Sequence, residues 1–407
     1  MVYDVLVIGA GPAGSVASAL LCNKGYSVRV VEKQHFPRFS IGESLLPECM
    51  QSLEAAGLLP AVQAMGYQQK NGAAFSRGDR YNDFDFREKF SEGWGTTFQV
   101  PRDSFDQTLA NEASRLGAQI DFGVTVAAVD NSRLPCQVQI ERADGKSDVI
   151  EARFVLDASG FGRVLPRLFD LEQSSDFPVR ASMFAHIDDG ILGDDFDRNK
   201  ILICVHPQIK EVWYWLIPFS QGRASVGVVL PLELAGVADQ DLDEQLRTWV
   251  NAEPRLCGLL NNAQFSSPVR RLQGYACNVK QLWGQGYALL GNAGEFLDPV
   301  FSSGVTIAMK SAELAVDVLD RQLRGELVDW DEEFARPLKL GVDTFRTFVE
   351  AWYDGRFQDV IFSERQDVNV TRMISSILAG YAWDIKNPYV KESGRRLNTL
   401  AQICQGA

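Results

Sequence analysis

Positive charge is in short supply: 40 Lys and Arg stand against 53 Asp and Glu, a formal net charge of −13. Phosphate backbones and anionic bilayers are recognised by clustered Lys and Arg, so neither a nucleic acid nor a membrane surface is expected as a partner. Small molecules or another protein remain. No apolar run approaches the roughly 18 residues that a membrane span requires, and Met1 leads within a few residues into a strand-like run that leaves no room for a secretion leader. A cytoplasmic location is the expectation. The seven cysteines (Cys22, Cys49, Cys136, Cys204, Cys257, Cys277 and Cys404) are scattered, odd in number and never spaced Cys-x-x-Cys. Neither a disulfide framework nor a metal site is indicated. The three histidines, His35, His186 and His206, form no ligand or triad spacing and receive no role. No internal repeat or low-complexity tract is visible.

With 407 residues, 46% of them hydrophobic, the chain can bury a large core and is long enough for two domains or one composite one. Residues 3–8 form a short apolar run, followed by Gly9-Ala10-Gly11-Pro12-Ala13-Gly14 and a helical pattern over 15–24. A second strand over 27–31 ends at Glu32, 18 positions after Gly14. Strand, glycine turn, helix and acidic strand end together predict a dinucleotide-binding βαβ unit. The glycines permit the tight turn and the approach of a pyrophosphate, and the helix N-terminus supplies free N–H groups for it. Glu32 is placed to accept from ribose hydroxyls, with Lys33 beside it. Residues 154–157 and 287–291 read as strands returning to the same sheet, so the nucleotide-binding part is discontinuous. Residues 181–187, 200–206, 211–217 and 223–230 predict an antiparallel sheet that roofs a cofactor. From residue 311 the pattern turns helical, and Phe345, Phe348, Trp352, Phe357 and Phe362 fit buried helix faces, a pocket wall or a dimer surface. The fold class expected is α/β.

Three later segments argue for FAD: Arg102 in Pro101-Arg102-Asp103-Ser104, the turn Asp157-Ala158-Ser159-Gly160, and Gly291-Asn292-Ala293-Gly294 followed by Asp298-Pro299. They resemble the flavoprotein class that includes para-hydroxybenzoate hydroxylase, with Asn292 standing where that class usually carries Asp. An asparagine still hydrogen-bonds a ribityl or phosphate group without adding negative charge.

Four more patterns narrow the resemblance: Gly42-Glu43-Ser44-Leu45-Leu46-Pro47, Lys70-Asn71-Gly72-Ala73, Trp213-Tyr214-Trp215-Leu216-Ile217-Pro218, and the stretch Phe296 to Gly304 read as Phe-x-x-Pro-x-x-Ser-x-Gly. Each has an ordinary explanation. Two tryptophans at i, i+2 share one face of a strand and pack in a core, a lysine is by default a solvated charge, and Ser302 or Ser303 can cap the helix expected over 305–319. Taken together, the patterns resemble flavin-dependent halogenases of phenol and pyrrole substrates. That resemblance covers roughly residues 1–330.

The resemblance implies a cofactor, FAD supplied as FADH2 by a separate flavin reductase, with O2 and chloride or bromide as co-substrates. It implies Gly9, Gly11, Ala13, Gly14, Glu32, Lys33, Ser44, Arg102, Asp157, Gly160, Asn292 and Asp298 at the cofactor. Ser302, Ser303 and Gly304 would cradle the halide, and Phe301 would face the substrate pocket. Lys70 would hydrogen-bond hypohalous acid or form a haloamine, and Trp213 and Trp215 would wall the tunnel between flavin and substrate. Tryptophan halogenases carry glutamate just before Ser-x-Gly, where this chain has Phe301, so free tryptophan is disfavoured. A phenol or pyrrole is the expected substrate, as a free small molecule or bound to a carrier protein. An FAD-dependent aromatic monooxygenase and a halogenase-like flavoprotein without turnover stay open. The expected division gives residues 1–75, 98–175 and 270–330 to a Rossmann-like FAD-binding domain. Residues 76–97 and 178–269 form the antiparallel-sheet substrate domain, and 331–407 a helical C-terminal region.

Overall fold

The computed structural model describes residues 1–193, 196–236, 241–364 and 367–406. Its first sheet begins with β1 (Val2–Ile8), turns through Gly9 into α1 (Pro12–Asn23) and returns as β2 (Val28–Glu32), parallel to β1. Ser147–Asp157 pairs in parallel on the other side of β1, Tyr287–Leu289 lies beyond it, and Gln119–Phe122 flanks β2. The run from Val5 to Ile8 is buried, as a central parallel strand covered on both faces must be.

The second sheet is ordered Gln264–Phe265, β4 (Arg180–Asp188), β7 (Arg223–Pro231), β6 (Trp213–Pro218), β5 (Lys200–Val205), β3 (Gly72–Arg77) and Arg80–Asp85. Its four central strands match the expected ones to within two residues at either end. These four pair antiparallel as expected, and the sheet is extended by β3, which runs parallel to β5. Two strands lie at the expected domain boundaries. Strand β3 straddles the expected break at residue 75, and Arg270–Gln273, placed with the FAD-binding part, pairs with β4.

Alternation along β6 separates two cores. Trp213, Trp215 and Ile217 face the large core shared with the first sheet and the C-terminal helices. Tyr214 and Leu216 face a smaller core closed by Leu246, Val250 and Leu256 from two short helices. Register places Trp215 opposite Gly227, and the indole lies across that glycine: a Cβ there would stand 2.3 Å from the ring. Gly227→Ala is therefore expected to cost about 1–3 kcal/mol by overpacking and to shift tryptophan fluorescence, checked by thermal unfolding and emission spectra.

Three further helices frame the site: α2 (Arg102–Arg115), α3 (Gly304–Leu323) and α4 (Arg336–Asp354). The aromatic C-terminal segment is core. Phe345, Phe348, Trp352 and Phe357 are fully buried, and Phe362 nearly so. The helix breaks at Gly355, whose φ of +96° is left-handed, and restarts as Arg356–Ile361. Among the described residues no helix is long and apolar enough to cross a membrane.

Candidate functional site

The glycine turn after β1 has the shape of a phosphate cradle. A Cβ on Gly14 would meet the Gly9 carbonyl at 1.9 Å, and one on Gly9 would meet the Ala158 carbonyl at 2.6 Å, so both positions are closed by neighbouring backbone. Gly11 differs, facing only Arg38 Nη2 at 3.5 Å and Asp106 at 4.0 Å. That opening lies at the start of α1, where Ala13 and Gly14 belong to the first turn and its N–H groups lack intrahelical partners. Glu32 is buried, its Oε2 accepting from Ala10 N–H and its Oε1 from Gln34 N–H, both at 2.9 Å. It braces the turn and keeps lone pairs for a ribose. Lys33 is exposed and Gly160 opens on free space.

Asp157 braces the turn in which it was expected to border the cofactor. Its buried carboxylate accepts from Ser159 N–H at 2.9 Å and Leu165 N–H at 2.6 Å, so it shapes the turn that packs on Gly9. Burial pushes its pKa up.

Arg102 is buried on Asp106, with Nε to Oδ1 at 2.8 Å and Nη2 to Oδ2 at 3.0 Å, and donates to the Ile41 carbonyl at 2.6 Å. Arg38 reaches the same carboxylate at 2.9 Å. Asp106 has no role in the cofactor motif, although its i, i+4 spacing from Arg102 on one helix signals the pair. Arg102 thus fixes the segment 41–50 that carries Ser44, and the Ser44 hydroxyl is buried without a partner. One oxygen of Glu43 is likewise buried and unpartnered, while the other lies 2.5 Å from His186 Nε2. Orphaned buried polar atoms beside an open glycine cradle fit a polar cofactor such as FAD.

His186 has a partner that spacing along the chain does not reveal. Burial alone would lower its pKa, but the hydrogen bond and charge of Glu43 outweigh that and hold it above the ordinary value. The stability this pair contributes is complete below the unfolded histidine's pKa and is lost as pH rises through the raised folded value. His186→Gln is expected to erase that loss, flattening the wild-type decline in urea-unfolding free energy above pH ~6.5.

Lys70 is 1% exposed. Its Nζ donates to the Leu45 carbonyl at 2.8 Å, and lies 5.5 Å from the Phe86 ring centroid. Desolvation lowers its pKa from the usual 10.5 to about 7. The adjoining Cys49 Sγ stands 3.1 Å from Thr306 Oγ1 in the first turn of α3. Lysine, segment 41–50 and the N-terminus of α3 therefore meet in one buried place.

Ser302 has a left-handed φ of +57°, and Ser303 occupies the N-cap position of α3. The expectation that a serine side chain caps this helix is corrected, since Ser303 makes no side-chain cap bond. At Gly304 a Cβ would lie 3.1 Å from Phe296 and 4.0 Å from Asn292 Oδ1, so Asn292 and the Ser303-Gly304 backbone border the same space. Phe301 packs edge-on to Trp352 and Phe357. Asp298 is buried, accepting from Val300 N–H at 3.0 Å and Tyr353 Oη at 2.8 Å, and desolvation raises its pKa to about 6. Trp213 Nε1 donates to the same Tyr353 Oη at 3.0 Å, and the Trp213 and Trp215 rings lie 5.9 Å apart.

Comparison with known proteins fits this arrangement. Residues 2–255 match the model of a family described as FAD binding domain. A 1H-pyrrole-2-carbonyl-(peptidyl-carrier protein) chlorinase of Pseudomonas fluorescens is 31% identical over 98% of this chain and 92% of its own. A tryptophan 2-halogenase of Chondromyces crocatus is 30% identical over 79% of this chain and 62% of its own. A crystal structure of a flavoprotein/dehydrogenase from Cytophaga hutchinsonii superimposes with a TM-score of 0.94 at 44% identity, covering 100% of this chain and 99% of that one.

Proposed function

Since the chain belongs to the flavin-dependent halogenase family and carries its FAD-binding domain, we propose that it halogenates an electron-rich phenol or pyrrole through Lys70. FAD, a halide and O2 are the family's cofactor and co-substrates. The observation that carries the proposal is Lys70 itself: a buried amine with one hydrogen bond and a pKa near 7, set beside the first turn of α3.

Bound reduced FAD supplies the activation of O2 that turns halide into hypohalous acid. The chain's residues do the rest. Free N–H groups at Ser303 and Gly304, at the positive end of α3, favour an anion. Trp213 and Trp215 present an apolar wall that keeps oxidant from water and substrate from direct oxygen transfer. With a pKa near 7, Lys70 offers a substantial neutral fraction at neutral pH. Its Nζ donates to Leu45, which aims the lone pair away from that carbonyl. The neutral amine accepts halogen from hypohalous acid with release of water, or the amine holds the acid by a hydrogen bond while the ring attacks. Either path ends with the proton of the aromatic carbon replaced by halogen.

The Pseudomonas relative acts, by its name, on pyrrole held by a peptidyl carrier, which supports the pyrrole reading with carrier presentation. Reduced flavin comes from a separate reductase in this reading. The test supplies protein, a flavin reductase with NADH, bromide and O2, and compares pyrrole-2-carbonyl loaded on a carrier protein with free phenols and pyrroles by mass spectrometry. A gain of bromine on any of them supports the proposal. Hydroxylated product without bromine sinks it.

A further inference from the structure

A cleft of about 760 Å³ opens between α4 and the stretches 173–180 and 278–283, and Arg180 and Tyr353 form part of its lining. Tyr353 is 9% exposed and sits in the penultimate position of α4. Its hydroxyl accepts from Trp213 Nε1 at 3.0 Å and donates to Asp298 Oδ2 at 2.8 Å, so its donor is spent. The Arg180 guanidinium lies 3.4 Å from the ring centroid, covering one ring face with a cation. Among the described residues lining the cleft, Tyr353 is the one that also bonds Trp213. One phenol thus separates a solvent-open cleft from the tryptophan strand and from the loop leading to Ser303 and Gly304.

We propose that Tyr353 is a positioning residue that seals the oxidant's path: it locks Trp213 against Asp298 and keeps the wall shut toward the cleft. This rests on the halogenase reading. Hypohalous acid is small and neutral, so an apolar wall retains it only where no side chain swings aside to admit water. The Trp213 indole is 1% exposed, and its N–H has this hydroxyl as its partner. Removing the hydroxyl leaves a buried donor unsatisfied, which favours states in which the indole moves toward water. A core residue without this role would lose stability on substitution but would not change where the oxidant goes.

Two variants separate these cases. Tyr353→Phe keeps the ring over Arg180 and loses both hydrogen bonds, whereas Tyr353→Ala also opens the cleft. In a single turnover with reduced FAD, O2 and bromide, electrophilic bromine that escapes is captured by a dextran-linked phenol too large to enter. The total is read by adding free phenol at acid quench. The escaped fraction is expected to rise severalfold in Tyr353→Phe and further in Tyr353→Ala, with the total unchanged. Wild-type retention in Tyr353→Phe at an unchanged total overturns the proposal. A second measurement needs no turnover: hydrogen exchange of the Trp213 indole N–H, followed by NMR in the resting protein, should speed up about tenfold or more in Tyr353→Phe. Unchanged exchange overturns the lock whatever the chemistry. If no form of the protein yields electrophilic bromine, the halogenase reading has failed, and the exchange result still decides what Tyr353 does.

Discussion

Replacing Lys70 by methionine is expected to abolish halogenation and at the same time to stabilise the protein at neutral pH. A lysine whose pKa falls from 10.5 to about 7 on folding binds fewer protons in the folded state than in the unfolded state between those two values. Stability therefore climbs as pH rises through that window, and the cost of the buried ammonium is complete below pH ~7 and gone above ~10.5. The full cost is on the order of 5 kcal/mol. Methionine removes it but leaves the Leu45 carbonyl without its donor, worth about 1–3 kcal/mol, so a net gain of roughly 2–4 kcal/mol is expected at pH 7. For a chain of this length that raises the melting temperature by only a few degrees. The activity change is far larger: with a scavenger present that consumes released bromine, the product formed on substrate bound in the site is expected to fall about a thousandfold or more. Bromide-dependent release of electrophilic bromine should survive, because in this reading the halide is held by the Ser303 and Gly304 N–H groups and not by the Lys70 amine. Calorimetry at pH 7 and pH 10 beside a product assay checks both halves. A variant that loses stability at both values, or that keeps half its product, contradicts the role assigned to Lys70.

Gly14→Ala carries the second large effect. The added Cβ would meet the Gly9 carbonyl oxygen at 1.9 Å and the Ala158 Cβ at 3.3 Å, and the nearest obstacle is backbone that cannot rotate away. The turn between β1 and α1 must open, which displaces the α1 N–H groups that would hold the FAD pyrophosphate. FAD affinity is expected to fall at least about a hundredfold, near 3 kcal/mol, read by titrating the protein with FAD and following flavin fluorescence. Gly25→Ala is the control. Its φ of +89° imposes backbone strain of about 1 kcal/mol, but nothing lies within 4 Å of the added methyl and FAD affinity should hold. Equal losses of affinity in the two variants would place the effect in folding rather than in the cradle.

Local chemistry made much of this protein legible. The βαβ start, the acidic end of β2 and the four central strands of the second sheet follow from periodicity and turn residues, which act over a few positions. The parallel pairing of β3 with β5 was not visible, because nothing in either strand records which edge it joins. The long-range partners stayed hidden for the same reason. Glu43 and His186 are 143 positions apart, and Trp213 and Tyr353 are 140. Neither pair leaves a spacing signature, and only the folded core brings the members together. Asp157 shows the reverse: its motif is easily found, while the two backbone N–H groups its carboxylate accepts from are visible only in the folded turn. Lys70 was found through the residues around it, but its burial and its single bond to Leu45 depend on segment 41–50, held by Arg102.

The central claim is that this protein turns halide into electrophilic halogen, and its most direct test needs no knowledge of the substrate. FAD-loaded protein is reduced anaerobically, mixed with oxygenated buffer with and without bromide, and quenched into a free phenol acceptor whose bromination is counted against flavin reoxidised. The account predicts bromide-dependent bromination approaching one equivalent per flavin in both the wild type and Lys70→Met. Full flavin reoxidation with no brominated acceptor at any bromide concentration would contradict it.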